Sequence, residues 1–274
     1  MSIIQDLCRR AAVLANKVLK HGFIKEMETI IDEEKKVKHD ELASQVEEII
    51  LDPSKIGLNV SSDSVDACYT PIIQSGGNYD VKISAQSNSE FLSSDVIICS
   101  LGAKYKGYCA NVSRTYMVNV PAKVERIYST LLALFDACME KMVPGAELKE
   151  VYLGAKAFLA KTDQALLSHL PKSLGFATGL EFRDSMHVLN EKNTQKFVEG
   201  MVFNLAVAFH NIPLSPEERK GDCPGLEVFS LLVADTVRVM GGDAAPEILT
   251  KSSKDFGDVS YSIDNNQVCE LPTI

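Results

Sequence analysis

The sequence lacks several features that whole classes of protein require. No apolar run approaches the roughly 18 residues that a membrane-spanning helix needs, and the N-terminus has no signal-peptide core or cleavage site. We therefore expect a protein that neither spans a membrane nor is secreted. The seven cysteines include no Cys-x-x-Cys pair, and the five histidines have no metal-ligand spacing. This pattern favours reduced thiols over a disulfide framework or a zinc site.

Positive charge is also scarce. The chain has 28 Lys and Arg against 37 Asp and Glu, which gives a formal net charge of −9. Because a phosphate backbone is held mainly by basic side chains, this balance argues against direct nucleic-acid binding and is compatible with a basic partner. With 274 residues, 46% of them hydrophobic, the chain can bury a large core in one large domain or two small ones.

Helical periodicity appears in both halves of the chain. It predicts a first helix that ends near Gly22 and a second helix over residues 42–50, with a charged, solvated connection between them. A later pair of helices is predicted over residues 124–142 and 148–159. Together with the strands described next, these helices predict a fold of the α/β class, α+β type.

Residues 94–118 predict a long, buried hairpin of two strands joined by a short polar turn. Its frame residues are Leu101, Gly102, Gly107, Tyr108, Arg114 and Thr115. This frame resembles the metal-bearing hairpin of the pita-bread fold, which methionine aminopeptidases, aminopeptidase P, prolidases and creatinases share. The resemblance implies curved antiparallel sheets covered by helices. Each strand of the hairpin carries one metal-binding aspartate in those enzymes, and the aligned residues here are Ser100 and Asn111.

Three further segments resemble metal-site motifs of the same fold. In residues 174–184 the metal-binding histidine is replaced by Phe176 and a substrate-contacting histidine by Arg183. The enzymes have a ligand glutamate in each of the other two segments. The aligned residue is Ala206 in residues 200–206 and Ala234 in residues 233–237. A second substrate histidine is expected between residues 78 and 94, and that stretch contains no histidine.

The resemblance therefore implies a peptidase fold without peptidase chemistry, without a metal and without a cofactor. The five aligned metal positions hold Ser100, Asn111, Phe176, Ala206 and Ala234. Hard divalent cations need anionic oxygen ligands, and without a bound metal the site has no means of generating hydroxide at neutral pH. Asp235 does not replace the missing ligand of Ala234, because neighbouring residues of a strand point to opposite faces.

Three motifs point to one inactive branch of this fold. Residues 68–77, 108–115 and 179–185 closely resemble the N-terminal peptidase-like domain of the large subunit of the FACT histone chaperone. The resemblance implies a nuclear, chromatin-associated protein that binds core histones or histone tails during transcription, replication and repair. It implies contact with the second FACT subunit through regions absent here, and it allows contacts with other chromatin, replication or transcription proteins.

A binding rim is predicted beside the former peptidase pocket. Its candidate residues are Ser75, Gly76, Gly77, Asn78, Glu181, Arg183 and Asp184. Other roles are open for several of them, since Gly76 and Gly77 can simply form a turn and Glu181 can pair with Arg183 at the surface.

The predicted organisation is a pita-bread domain over residues 1–245, followed by a polar capping segment and tail over residues 246–274. Residues 215–225 are predicted to form a surface loop. Three alternative functions remain open: a protein-docking scaffold of the same complex, an RNA- or ribosome-associated pseudo-peptidase, and an active metal-dependent aminopeptidase. The acidic balance disfavours the RNA-associated alternative.

Overall fold

One mixed sheet forms the centre of this computed structural model, which describes residues 3–219 and 225–263. The strands are β1 (Val65–Gln74), β2 (Val96–Tyr105), β3 (Tyr108–Val118), β4 (Ser173–Ala177), β5 (Val188–Asn190), β6 (Val202–Pro213), β7 (Val228–Arg238), β8 (Glu247–Ile248) and β9 (Ser260–Tyr261). In the described part of the chain they pair in the order β1-β2-β3-β7-β6-β4-β5, with β8 on β7 and β9 on β3. All these pairs are antiparallel except β3 with β9.

Helices cover one face of this sheet. They are α1 (Ile3–Val18), α2 (Lys25–Asp32), α3 (His39–Leu51), α4 (Ala122–Met139), α5 (Lys149–Thr162) and the short α6 (Phe256–Val259). Helix α1 packs on β2 and β3, α3 packs on β1, and α4 packs on β6 and β7. This arrangement confirms the predicted α+β class and the predicted later helix pair. Within the described ranges, no helix is long and apolar enough to cross a membrane.

The predicted end of the first helix near Gly22 is wrong. The chain stays helical beyond α1, through a π-helical turn over Leu19–Ile24 that leads directly into α2. Gly22 is buried, and a Cβ atom built on it would lie 3.1 Å from Ile49 Cδ1 of α3. Gly22 therefore permits the close approach of α3 and does not end the helix.

The predicted hairpin is confirmed as β2 and β3, which pair in continuous register from Val96 opposite Met117 to Tyr105 opposite Tyr108. Gly102 of its frame lies beneath side chains of β1. A Cβ atom at Gly102 would lie 2.8 Å from Tyr69 Cε1 and 2.9 Å from Cys68 Cβ. The glycine thus allows these β1 side chains to lie directly over the hairpin.

The two halves of the sheet meet between β3 and β7. Only Ser113 and Ala234 are direct register partners there among the described residues. On either side of this pair, the hydroxyls of Thr115 and Thr236 each bridge to the main chain of the other strand. The seam between the halves is therefore closed largely by side-chain hydrogen bonds.

Part of the predicted capping segment lies against this seam. Residues 246–263 include β8, α6 and β9, while residues 264–274 of the predicted tail and residues 220–224 of the predicted surface loop lie outside the described residues. Arg114 of β3 is fully buried and joins the segment to the sheet. Its five N–H groups are donated to four main-chain carbonyls and one carboxylate, those of Ser113, Ala234, Ser252, Ser253 and Asp235.

Candidate functional site

A cavity of about 710 Å³ lies on the sheet face opposite to the helices. Across adjacent strands, Ser100 is the register partner of Ser113, Ser113 that of Ala234, and Ala234 that of Ala206. This row forms part of the cavity floor. The structure brings together all five positions implied by the peptidase resemblance, and each lines the cavity: Ser100, Asn111, Phe176, Ala206 and Ala234.

Neutral hydrogen bonds join the polar residues of the floor. The Ser100 hydroxyl donates to Ser113 Oγ at 2.7 Å, and Asn111 Nδ2 donates to Asn204 Oδ1 at 3.1 Å. The Tyr69 hydroxyl donates to Asn111 Oδ1. Burial raises the pKa of Tyr69 well above its ordinary value, so this hydroxyl keeps its proton at neutral pH. The polar residues of the floor are therefore uncharged.

Phe176 belongs to a group of aromatic rings at one end of the cavity. Its ring packs edge-on against Phe182 with centroids 5.4 Å apart, and Phe182 lies 5.0 Å from the ring of Tyr69. The guanidinium of Arg183 lies over the Phe176 ring, 5.5 Å from its centroid. Arg183 is thus held in a cation–π contact at the cavity wall.

The charged residues of the cavity wall are mostly basic. Lys82, Lys172 and Arg183 face a single acid, Asp80, which lies 3.6 Å from Lys82 Nζ. His210 also lines the cavity, and burial, reinforced by nearby His169, lowers its pKa. At neutral pH the wall therefore carries more positive than negative charge, although the chain as a whole is acidic.

The residues of the floor do not fit a divalent metal. Serine hydroxyls and amide oxygens supply no negative charge, and Phe176, Ala206 and Ala234 supply no ligand atom. No cluster of three or more His, Cys, Asp or Glu side chains that could hold a metal occurs in residues 3–219 and 225–263. The side chains at these five positions therefore could not hold a divalent metal for hydrolysis.

Asp235 points away from the cavity, as strand alternation predicts. Its side chain is fully buried on the opposite face, where it accepts hydrogen bonds from Arg114 at 2.7 Å, Thr250 at 2.8 Å and Lys254 at 2.8 Å. Through Thr250 and Lys254, Asp235 therefore connects the predicted capping segment to the sheet.

Of the seven predicted rim residues, only Arg183 lines the cavity. Ser75 is buried, and its Oγ lies 2.7 Å from His39 Nε2 and accepts a hydrogen bond from the Ser93 N–H at 2.8 Å. Gly76 and Gly77 have φ angles of 74° and 85°, which glycine adopts without strain, and they form a turn that does not line the cavity. Residues 79–84, which follow this turn, line the wall instead.

The other three rim candidates lie at the surface near the cavity. Asn78 and Glu181 are exposed. Asp184 Oδ2 lies 2.6 Å from His187 Nδ1, and this hydrogen bond lowers the pKa of Asp184. Glu181 forms no ion pair with Arg183 among the described residues.

Two polar residues that the sequence did not predict complete the floor, Ser113 and Asn204, and a third, Tyr69, contacts the floor through its hydrogen bond to Asn111. Ser113 and Asn204 each stand two residues from a predicted position, Asn111 and Ala206 respectively. Since residues i and i+2 of a strand share a face, strand alternation could have identified both. Tyr69 reaches the floor only because the glycine at position 102 leaves room for its ring, and no local pattern signals this contact.

Comparison with known proteins confirms both resemblances inferred from the motifs. The profile of metallopeptidase family M24 matches residues 6–240. The chain is 41% identical over 262 residues to FACT complex subunit SPT16 of Zea mays, an alignment that covers 94% of this chain and 24% of that protein. The corresponding protein of Arabidopsis thaliana is 39% identical over 267 residues, with 96% and 24% covered. This chain thus spans about a quarter of the length of these curated relatives.

Solved structures agree with this assignment. The N-terminal domain of FACT complex subunit SPT16 from Cicer arietinum superposes with a TM-score of 0.88 at 38% identity, over 96% of this chain and 61% of that one. The X-Pro aminopeptidase of Thermotoga maritima superposes with a TM-score of 0.70 at 18% identity, over 95% of this chain and 63% of that one, which shows the shared fold alone. The predicted pita-bread fold is therefore confirmed. This chain belongs to metallopeptidase family M24, and within that family it is homologous to the N-terminal domain of FACT complex subunit SPT16.

Proposed function

We propose that this chain is a non-catalytic, peptidase-like domain of a nuclear histone chaperone subunit. In this proposal it binds core histones or histone tails and acts in nucleosome reorganisation during transcription, replication and repair. The observation that carries the proposal is the row of uncharged side chains on the cavity floor, found in a chain homologous to a FACT subunit domain.

The chemistry of the floor supports the non-catalytic part. Metal-dependent peptide hydrolysis needs a metal-bound water with a lowered pKa, and the metal needs anionic or imidazole ligands. The five positions implied by the family motifs supply neither. Hydrolysis by a serine or cysteine nucleophile would need a base beside it, and the hydroxyls of Ser100 and Ser113 contact only each other and the Asn111 amide in the described structure.

The charge of the chain supports the histone part. A net charge of −9 favours the approach of a strongly basic partner and speeds the encounter at low ionic strength. The predicted rim remains part of this proposal. Its exposed acidic member, Glu181, is the candidate for a direct contact with a basic side chain, and Asn78 is the candidate on the neighbouring turn.

Binding of labelled core histones to the purified domain, titrated at several salt concentrations, tests the proposal. We expect saturable binding that weakens as salt screens the charges. The Glu181→Lys variant should bind several-fold more weakly, whereas Glu140→Lys, the same charge change at the exposed end of α4, should bind as the wild type does. Absence of binding at low salt would contradict the histone part. Chelator-sensitive hydrolysis of an X-Pro peptide would contradict the non-catalytic part.

A further inference from the structure

The basic wall of the cavity does not match a histone tail, which is itself basic. Lys82, Lys172 and Arg183 come from three separate segments and converge on one cavity. Asp80 is already engaged by Lys82. Neither Lys172 nor Arg183 forms an ion pair within the described residues, and both side chains are exposed to solvent. Lys172 and Arg183, the latter lying over the Phe176 ring, are thus without an anionic partner among the described residues and can bind one from a ligand.

The floor adds hydrogen-bond donors beneath these cations. Ser113 Oγ accepts hydrogen bonds from Ser100 and from Asn111, so its own hydroxyl proton is available for donation to a ligand. Asn204 Oδ1 accepts a hydrogen bond from Asn111, and the side-chain N–H groups of Asn204 have no protein acceptor among the described residues. An anionic oxygen held by arginine or lysine gains further from such neutral donors.

The length of the cavity favours an elongated ligand. Its floor crosses β2, β3, β7, β6 and β4, and four inter-strand spacings of about 4.8 Å correspond to roughly 20 Å. An extended peptide covers this length in about six residues. Apolar side chains between the polar ones, including Ile98, Ala208 and Leu232, provide contacts for the rest of such a chain.

We propose that this cavity binds an extended acidic peptide segment, with its carboxylates directed to Arg183 and Lys172. Arginine suits this role because its planar guanidinium can hold a carboxylate through two parallel hydrogen bonds. A nucleic acid fits less well, since a phosphate backbone requires a longer row of cations and is repelled by the acidic balance of the chain. The proposal depends on the cavity alone and not on histone binding elsewhere.

Fluorescence anisotropy with three labelled peptides of equal length, rich in Glu, Gln or Lys, tests this proposal on the intact domain. The Glu-rich peptide should bind in a salt-sensitive manner, and the Gln-rich and Lys-rich peptides should bind at least tenfold more weakly. The double variant Lys172→Glu with Arg183→Glu should reduce binding of the Glu-rich peptide by tenfold or more. The control Lys20→Glu with Lys161→Glu makes the same charge change at two exposed sites outside the cavity and should leave binding near the wild-type level.

Several results would overturn the proposal. Equal binding of the Glu-rich and Gln-rich peptides would show that carboxylates are not recognised. An equal loss in the control variant would show that overall charge, not the cavity, governs binding. Tighter binding of a single-stranded RNA at the same cations would assign the cavity to another ligand. Core histones are titrated in a separate experiment. If the domain binds the Glu-rich peptide but no histones, only the proposed function is contradicted.

Discussion

Thr115 and Thr236 form the same pair of hydrogen bonds from opposite sides of the β3–β7 seam. The Thr115 hydroxyl donates to the Leu232 carbonyl at 2.9 Å and accepts from the Leu232 N–H at 2.8 Å. The Thr236 hydroxyl does the same with the main chain of Asn111, at 2.9 Å and 2.8 Å. The two contacts are related by a local two-fold arrangement about the Ser113–Ala234 pair, and they hold together the two halves of the cavity floor.

Removing either hydroxyl should therefore destabilise the fold. Thr115→Val keeps the shape of the side chain but leaves a buried N–H and a buried C=O of Leu232 without partners, at about 1–3 kcal/mol each. We expect a loss of about 2 kcal/mol or more in the free energy of unfolding, measured by chemical denaturation. Thr130→Val removes a hydroxyl that donates to the Arg126 carbonyl of the same helix, α4, in a solvent-exposed hydrogen bond, and should change this free energy by no more than roughly 0.5 kcal/mol. Equal effects of the two substitutions would contradict the proposed role of the seam.

Gly175 should tolerate no side chain. Its φ angle is 125°, and a Cβ atom would lie 1.9 Å from the Asn204 carbonyl oxygen. We expect Gly175→Ala to destabilise the domain by about 4 kcal/mol or more, or to prevent its recovery as a soluble protein, because main-chain atoms of the cavity floor must move. Gly179→Ala is the matched control in the same segment, since nothing lies within 4 Å of a Cβ atom there. If both variants unfold at similar temperatures, the close approach of Gly175 to the Asn204 carbonyl is not needed for stability.

The buried carboxylate of Asp235 should matter far more than a surface carboxylate. Asp235→Ala leaves the fully buried Arg114 without its ionic partner and also frees Lys254. Loss of one partner of a buried pair costs about 3–5 kcal/mol, and we expect a decrease of this size in the free energy of unfolding. Asp6→Ala, which breaks the exposed pair with Arg10, should have a much smaller effect. The account fails if the two substitutions are equally mild.

Asp95 should make stability depend on pH in a defined direction. Burial raises its pKa above 3.8, although hydrogen bonds from Ser93 and from the Gly76 N–H oppose the shift. Because the folded state holds the proton more tightly than the unfolded state, the stability from this group is present below its unfolded pKa and is lost as pH rises through its folded pKa.

The Asp95→Asn variant removes this titration. As pH rises from below 3.8 to neutral, the free energy of unfolding of the variant should therefore increase relative to that of the wild type, which means that the variant becomes relatively more stable. Denaturant titrations at a series of pH values measure this difference. The exposed Asp63→Asn variant should follow the wild type throughout. A wild-type-to-variant difference that is constant with pH would contradict the assignment.

Local periodicity predicted the elements that carry the cavity. Within the hairpin, the resemblance to the peptidase fold assigned Ser100 and Asn111 to two former metal positions, and the structure brings both to the same cavity. Strand alternation placed Asp235 on the other face. These predictions succeeded because the side-chain direction in a strand is fixed by the position within that strand.

Features that depend on contacts distant in sequence were not predicted. Gly22 suggested a helix end, yet its role is set by the approach of Ile49 from another helix. The Ser75 to Asn78 turn was predicted as part of the rim, but the residues that line the cavity wall are 79–84, which follow this turn. The basic wall arises from three segments that meet only in the folded chain, and the net charge of −9 gave no sign of it.

The central claim is that a peptidase scaffold persists here with an uncharged floor that holds no metal. Isothermal titration of the chelator-treated protein with Mn²⁺ and Co²⁺ tests this claim most directly, with an active prolidase titrated in parallel as the positive control. We predict no saturable binding by this chain and about two ions per chain for the prolidase. Stoichiometric binding of two ions by this chain, abolished by Asn111→Ala, would contradict the account.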